Sequence, residues 1–361
     1  MNSFGYRLRL TTFGESHGAG IGCVLDGVPA GLKIDETFIQ SDLDRRKPKS
    51  DRVGSTKRNE SDRAQILSGV FEGVCTGAPI AIFIANENAK SGDYDELRDV
   101  FRPGHADFSW FAKYGVRDHR GGGRSSARES AARVGAGAIA KLILNEIGAK
   151  VQSGVLAIGD VWGEKLDFNY AQTSPIFALD RYREAEQIAA IEAARNDGDS
   201  IGATVKILAS GIPAGLGEPL YGKLDAKLAE ALMGINAVKA VEIGAGTRAA
   251  ALRGSQNNDQ IGSSGFLTDN AGGILGGVSA GTPIYATISF KPTPSIHKTQ
   301  KTVDIRANER EISIKGRHDS CVGVRGGVVC EAMTALVLAD ALLANLGSKT
   351  AHIKAIYGDK K

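Results

Sequence analysis

Two histidines stand where a side chain can meet a ligand. His17 lies between glycines in GESHG, and His105 lies between chain breakers in FRPGHAD. Loops of this kind carry functional residues more often than regular elements do, and imidazole titrates close enough to neutrality to move protons. Either ring could equally be a satisfied structural histidine. A third cluster, KGRHDSC, sets His318 between Arg317 and Asp319, a carboxylate that could act as a base. His119 and His297 suit the surface, and His352 has no chemical neighbour in sequence. His17 and His105 have no partner at H-x-x-x-H or C-x-x-C spacing, so no metal site is expected.

Anion chemistry is suggested by two further segments. SDLDRRKPKSDRVGSTKR places Arg45, Arg46, Lys47, Lys49, Arg52, Lys57 and Arg58 around Gly and Pro breaks. Such a run is either a solvated charged face or a loop whose guanidinium groups converge on a phosphate or carboxylate. RGGGRSSARES then offers Arg124, Ser125, Ser126 and Arg128 at the expected start of a helix, where free N–H groups favour phosphate. Ser126 and Glu129 also fit a capping box, a purely structural alternative.

These residues belong to a chain of 361 residues, 42% hydrophobic and 24% charged, which is ordinary for a globular protein. Lys and Arg number 44 against 41 Asp and Glu, too small an excess for a nucleic-acid binder, and the 6% aromatic content offers no stacking platform. The four scattered cysteines read as buried free thiols. No apolar run reaches the ~20 residues of a membrane span, and MNSFGYRLRLTTFGESHG lacks a secretory core, so the cytoplasm is the expected location. The 46 glycines cluster in GESHGAGIG, RGGGRSS and GGILGGVSAG. None forms a dinucleotide fingerprint or a phosphate-binding P-loop, and no G-x-S-x-G elbow is present.

The elements that would hold these loops can be read in outline. Helices are expected over 35–46, capped by Asp35 and stopped before Pro48, and over 125–147, 225–235 and 331–346; strands are expected at 20–26, 79–85, 201–209 and 283–290, with 160–178 a loop. Three segments recur in order: 18–32 as 200–216, 66–84 as 274–290, and 120–144 as 325–343. This predicts one unit over 1–361, built from two related halves at about 1–150 and about 195–350. Sheets packed on a helical layer fit that pattern better than β-α-β alternation with a parallel sheet.

GESHGAGIGCVLDGVP, GGGRSSARESAARVGAGAI and GRHDSCVGVRGGVVCEAM resemble the three signature blocks of the chorismate synthase family. FRPGHADFSWFAKYG and LRGSQNNDQ are similar to further family segments, so the resemblance runs from about Leu8 to about Leu346. Ser320 stands where members often carry Pro, and RGGVV lacks a Pro commonly found there. The resemblance implies an α+β fold, a β-α-β sandwich with a helical layer between two antiparallel sheets and internal pseudo-two-fold duplication. It implies a homotetrameric lyase of the shikimate pathway. That enzyme uses reduced FMN from an external source to remove phosphate from 5-enolpyruvylshikimate 3-phosphate by anti-1,4-elimination. By the same resemblance His17, His105 and Asp319 are catalytic. Arg124, Ser125, Ser126, Asn236, Ala237, Gly276, Lys291, Pro292, Thr293, Pro294, Ser295 and Arg317 would touch FMN. Arg46, Arg52 and Arg128 would hold the substrate's anionic groups, the first two also being where NADPH is placed in some members. A different flavin- or phosphate-dependent enzyme on the same scaffold is the rival reading.

Overall fold

The computed structural model describes residues 1–49, 52–56, 60–87, 96–314, 316 and 318–358. The first half supplies β1 (Ser3–Phe4), β2 (Arg9–Gly14), β3 (Gly20–Asp26), α1 (Glu36–Arg46), β4 (Gln65–Ile66), β5 (Val70–Phe71), β6 (Val74–Cys75), β7 (Ile80–Ala85), α2 (Asp107–Tyr114) and α3 (Ser130–Asn145). Its sheet runs β1-β2-β3-β7-β4 with antiparallel pairing. Period-two patterning sets the register: Ile21, Cys23 and Leu25 lie opposite Ile84, Ile82 and Ile80, and all six are buried.

The second half supplies β8 (Lys150–Ile158), β9 (Val161–Trp162), α4 (Phe168–Ala171), α5 (Glu184–Asn196), β10 (Ala203–Ser210), α6 (Leu224–Met233), β11 (Val238–Ile243), α7 (Gly254–Asn257), β12 (Ile261–Gly262), β13 (Gly265–Phe266), β14 (Ile274–Leu275), β15 (Val278–Ser279) and β16 (Ile284–Phe290). Its sheet runs β11-β16-β10-β8-β9, again antiparallel. The chain closes through hairpin β17 (Gln300–Val303) and β18 (Glu309–Ile312), then α8 (Gly323–Asn345) and α9 (Thr350–Tyr357). Helix α3 packs on β3 and β7, α8 packs on β8 and β10, and the two helices pack on each other. The fold is therefore α+β, with helices layered between two antiparallel sheets.

Glycine makes the α3–α8 contact close. A Cβ placed on Gly137 would overlap Ala332, and where α8 meets β8 one on Gly327 would sit 2.7 Å from the Ser153 hydroxyl oxygen. Alanine at position 137 gains about 1 kcal/mol of helix propensity. Overpacking costs about 1–3 kcal/mol and must push two rigid helices apart, so Gly137→Ala is expected to lower the thermal midpoint. A scan showing an unchanged or higher midpoint would mean that the helices can separate freely.

Helix α8 is long and apolar enough to cross a membrane by length and composition, which the raw sequence did not suggest because Arg325, Glu331 and Asp340 interrupt it. It is buried from Gly323 to Ala339 except at Arg325, and Asp340 accepts the backbone N–H groups of Tyr6, Arg7 and Leu8 at 2.9, 2.6 and 2.8 Å. It is the core helix of this sandwich.

The repeated segments make the same bonds. Gly31 N–H donates to Cys75 O and Gly215 N–H to Ser279 O, both at 2.9 Å. Cys75 N–H returns to Leu32 O and Ser279 N–H to Leu216 O, both at 2.8 Å. Pro29 and Pro213 thus sit in turns of one design, with Gly31 at φ 91° and Gly215 at φ 103°.

Several boundaries differ from expectation. Asp35 caps α1 as read, accepting from Thr37 and Phe38 N–H at 2.9 and 3.1 Å. The helix expected from 125 begins at Ser130, because Gly121, Gly122 and Gly123 are left-handed and Ser126 is extended, which leaves only tight single turns before it. The capping box is half made: Ser126 Oγ accepts from Arg128 N–H at 3.4 Å, but Glu129 turns to Arg133. Helix α8 starts eight residues before the expected 331, since its glycines serve packing rather than a turn. The segment 160–178 contains β9 and α4, the latter capped by Asp167. All four cysteines are free and buried.

Candidate active site

The loops after β2 and before α2, the glycine turn before α3, the end of α1, the segment after β16 and the start of α8 enclose one cavity of about 310 Å³. His17 and His105 both line it, roofed by consecutive glycines. A Cβ on Gly121 would lie 2.6 and 2.7 Å from Cδ2 and Nε2 of His17. On Gly122 it would lie 2.8 and 3.2 Å from Cε1 and Nε2 of His105. The two positions have φ of 63° and 86°, so glycine is required by both the turn and the rings beneath it.

His105 is held from behind. Its Nδ1 lies 2.9 Å from Asp107 Oδ1, and that buried carboxylate accepts Nε–H and NH2 of Arg102 at 2.7 and 2.9 Å. The donor-only Arg102 NH2 lies 3.0 Å from the same Nδ1, so acceptor and donor together clamp that nitrogen and leave Nε2 beside Gly122. Burial pushes the His105 pKa down, outweighing Asp107, which pulls it up. The ring is neutral at pH 7. Burial likewise opposes ionisation of Asp107, yet Arg102 and His105 hold it far below the usual carboxylate range.

Fixed positive charge faces the same space. Arg46 is buried and reaches Asp62 at 3.3 Å, while its NH1 donates to Arg128 O at 3.1 Å. Arg128 also pairs with Asp62, and its Nε–H donates to Asn86 Oδ1 at 3.1 Å. Asp62 is buried, and although burial works against its charge, Arg46 and Arg128 keep its pKa low. Burial lowers Arg46 to about 10, still cationic at neutral pH. With Arg102, Lys291 and Arg325, the wall carries five cationic side chains against the carboxylates Glu60 and Asp319. Asp319 Oδ1 accepts Thr56 N–H at 2.9 Å, and Oδ2 pairs with Arg325.

A buried imidazole and a half-buried one on a cationic cavity suit an anionic substrate that must exchange protons. Many protein families could share that much, and whole-chain likeness decides among them. A protein-family model described as chorismate synthase matches residues 8–343. The chain belongs to the chorismate synthase family. It is 59% identical over 357 residues to the chorismate synthase of Nitratiruptor sp., covering 99% of this chain and 100% of the relative. It is 58% identical over 358 residues to that of Sulfurovum sp., with the same shares covered. A solved crystal structure of chorismate synthase superposes with a TM-score of 0.76 at 33% identity, over 98% of this chain and 96% of the other.

Within this chorismate synthase fold, most of the residues singled out from sequence converge. Ser125, Ser126, Asn236 and Ala237 line the cavity, as do Lys291, Thr293, Pro294 and Ser295. Others lie elsewhere. Arg124 turns away to Thr12, Thr12 O accepting at 2.9 Å, because the left-handed glycines reverse the chain just before it. Arg52 caps the end of α1, donating to Arg45 O at 2.6 Å, and stacks 4.9 Å from the centre of the Phe177 ring. Pro292 packs against Gly202, and Gly276 forms the tip of the β14–β15 turn. Lys57, Arg58 and Arg317 lie outside the described residues. Arg45 faces the core rather than the loop.

The wall holds polar groups left for a ligand, an amide acceptor and a hydroxyl, as a flavin with its own ring N–H groups and acceptors would need. Asn236 donates to Ser125 O at 3.1 Å, but its Oδ1 and the Thr293 hydroxyl are buried without hydrogen-bond partners. They stand beside Ala237, a non-glycine residue held at φ 69°, of the kind found where backbone is shaped around a ligand. Among the described residues no group of three or more His, Cys, Asp or Glu could hold a metal ion. Sequence reasoning missed Arg102, Arg325, Glu60 and Asp62. Arg102 and Arg325 sit inside the quoted motifs, three residues before His105 and six after Asp319, which was the available signal; Asp62, held at a positive φ of 47°, gave none.

Proposed function

We propose that the protein converts 5-enolpyruvylshikimate 3-phosphate to chorismate by anti-1,4-elimination of phosphate, with reduced FMN as cofactor. The observation that carries this is the placement of His17 and His105 under Gly121 and Gly122, on one cavity with a surplus of fixed cations. Reduced FMN, when bound, would supply electron density that eases departure of phosphate and would offer an acceptor for the C6 hydrogen. Asn236, Thr293 and Ser125 would meet it, with Lys291 near its anionic parts. Arg46 and Arg128 hold the substrate's phosphate and carboxylate, with their own geometry fixed by Asp62. His17 gives a proton to the leaving phosphate oxygen. His105 holds a proton at Nε2 once negative charge sits beside it, with Asp107 balancing the imidazolium. Asp319, oriented by Thr56 N–H and Arg325, takes up the proton finally released. We further propose that the protein is a cytoplasmic homotetramer and a single duplicated unit, and that its reduced flavin comes from outside.

The expected result is chorismate formation under anaerobic conditions with chemically reduced FMN, and none with oxidised FMN. Robust aerobic turnover on NADPH and FMN, free of contaminating reductase, would show instead that the chain reduces its own flavin.

A further inference from the structure

The two carboxylates of the cavity wall are not equivalent. Both oxygens of Asp319 are committed, one to Thr56 N–H and the other to Arg325. Glu60 is 7% exposed and lines the same cavity, yet no hydrogen bond or ion pair engages it among the described residues. The nearby Asp62 has captured Arg46 and Arg128. A bare carboxylate in this position works against the site twice. It has no donor among the described residues, and it repels the anions that the arginines attract. Both costs are offset only if the bound ligand brings a neutral donor to it.

Resting on the function proposed above, we propose that Glu60 accepts a hydrogen bond from the substrate's ring hydroxyl and selects for it. The substrate has one free ring hydroxyl, at C4, between the C3 phosphate and the C5 enolpyruvyl ether. Its other polar groups are acceptors or anions, matched to Arg46, Arg128 and Lys291. The hydroxyl is the one donor it can offer a carboxylate. The C4–O–H bonds are untouched by the elimination, so Glu60 acts in recognition, with no proton transferred.

The test is calorimetric affinity, with oxidised FMN present, for the substrate and its 4-deoxy analogue. Hydrogen bonds to charged groups are worth enough that the parent should favour the hydroxylated ligand by about 10–100-fold. Glu60→Ala should bind the two within a few-fold of each other, and Glu60→Gln should fall between. Because Glu60 makes no hydrogen bond or ion pair among the described residues, neither variant should have a lowered thermal midpoint. Undiminished discrimination by Glu60→Ala overturns the proposal. So does failure of Glu60→Ala to fold, which would make the carboxylate structural, or weakened FMN binding with selectivity intact. If the parent neither binds nor turns over the substrate, the proposed function itself falls.

Discussion

Turnover with reduced FMN drops by about 10²–10⁴-fold when His17 or His105 is replaced by alanine, while folding and flavin binding persist, because general acid–base assistance by a placed side chain is worth that much. Both rings touch the cavity rather than an apolar core, and the glycines above them leave no support for a substitute. The two losses should differ in character. His17→Ala should change the pH dependence of phosphate release, whereas His105→Ala should change the spectrum of bound reduced flavin. The His105 ring is neutral at pH 7 because burial outweighs Asp107. Asp107→Asn should therefore depress proton delivery without removing the ring. Asp319→Asn should behave like the histidine variants, and His352→Ala, on the terminal helix α9, should be close to silent. Anaerobic assay of folded, flavin-competent variants decides: turnover within a few-fold of the parent removes the assigned roles.

What the sequence could show depended on whether a feature was local. The strand cores were legible because one buried face imposes period two, and the turns around Pro29 and Pro213 were legible because each needs glycine at a left-handed position. His17 and His105 were found through their loop settings. The destination of an arginine, by contrast, is fixed by partners far away in the chain. Arg45 and Arg46 are adjacent in sequence, yet one enters the core at Glu331 and the other the cavity at Asp62. RGGGR looked like a phosphate turn, but its glycines roof two rings that only the tertiary fold brings beneath them. Asp62 and Glu60 are acidic residues in a polar segment, and nothing local shows that Asp62 is the one that pairs with Arg46 and Arg128.

That division along α1 leads to the largest expected effect on stability. Glu331, buried in the middle of α8, receives Arg45 NH2 at 2.6 Å, Lys141 Nζ at 2.5 Å and the Ser153 hydroxyl at 2.7 Å, while Asp42 completes the group through Lys141 at 2.7 Å. It joins α1, α3, α8 and β8 at one point. Glu331→Gln leaves the buried Lys141 and the half-buried Arg45 facing only Asp42, and breaking a buried pair in this way costs about 3–5 kcal/mol. Replacing Asp42, Arg45, Lys141 and Glu331 together by apolar residues of matched volume should cost far less, because no unpaired charge remains. Burial alone would raise the Glu331 pKa, but Arg45 and Lys141 hold it well below the ordinary glutamate range. Its stabilisation is thus complete above that range and is lost as pH falls toward the lowered value. Acid unfolding of Glu331→Gln should accordingly show a shallower pH dependence than that of the parent. Because Arg46 is the next residue along α1, the variant should also lose activity at a lower temperature than the parent, ahead of global unfolding. Chemical denaturation that finds Glu331→Gln within 1 kcal/mol of the parent would show that α1 is held by its apolar face alone.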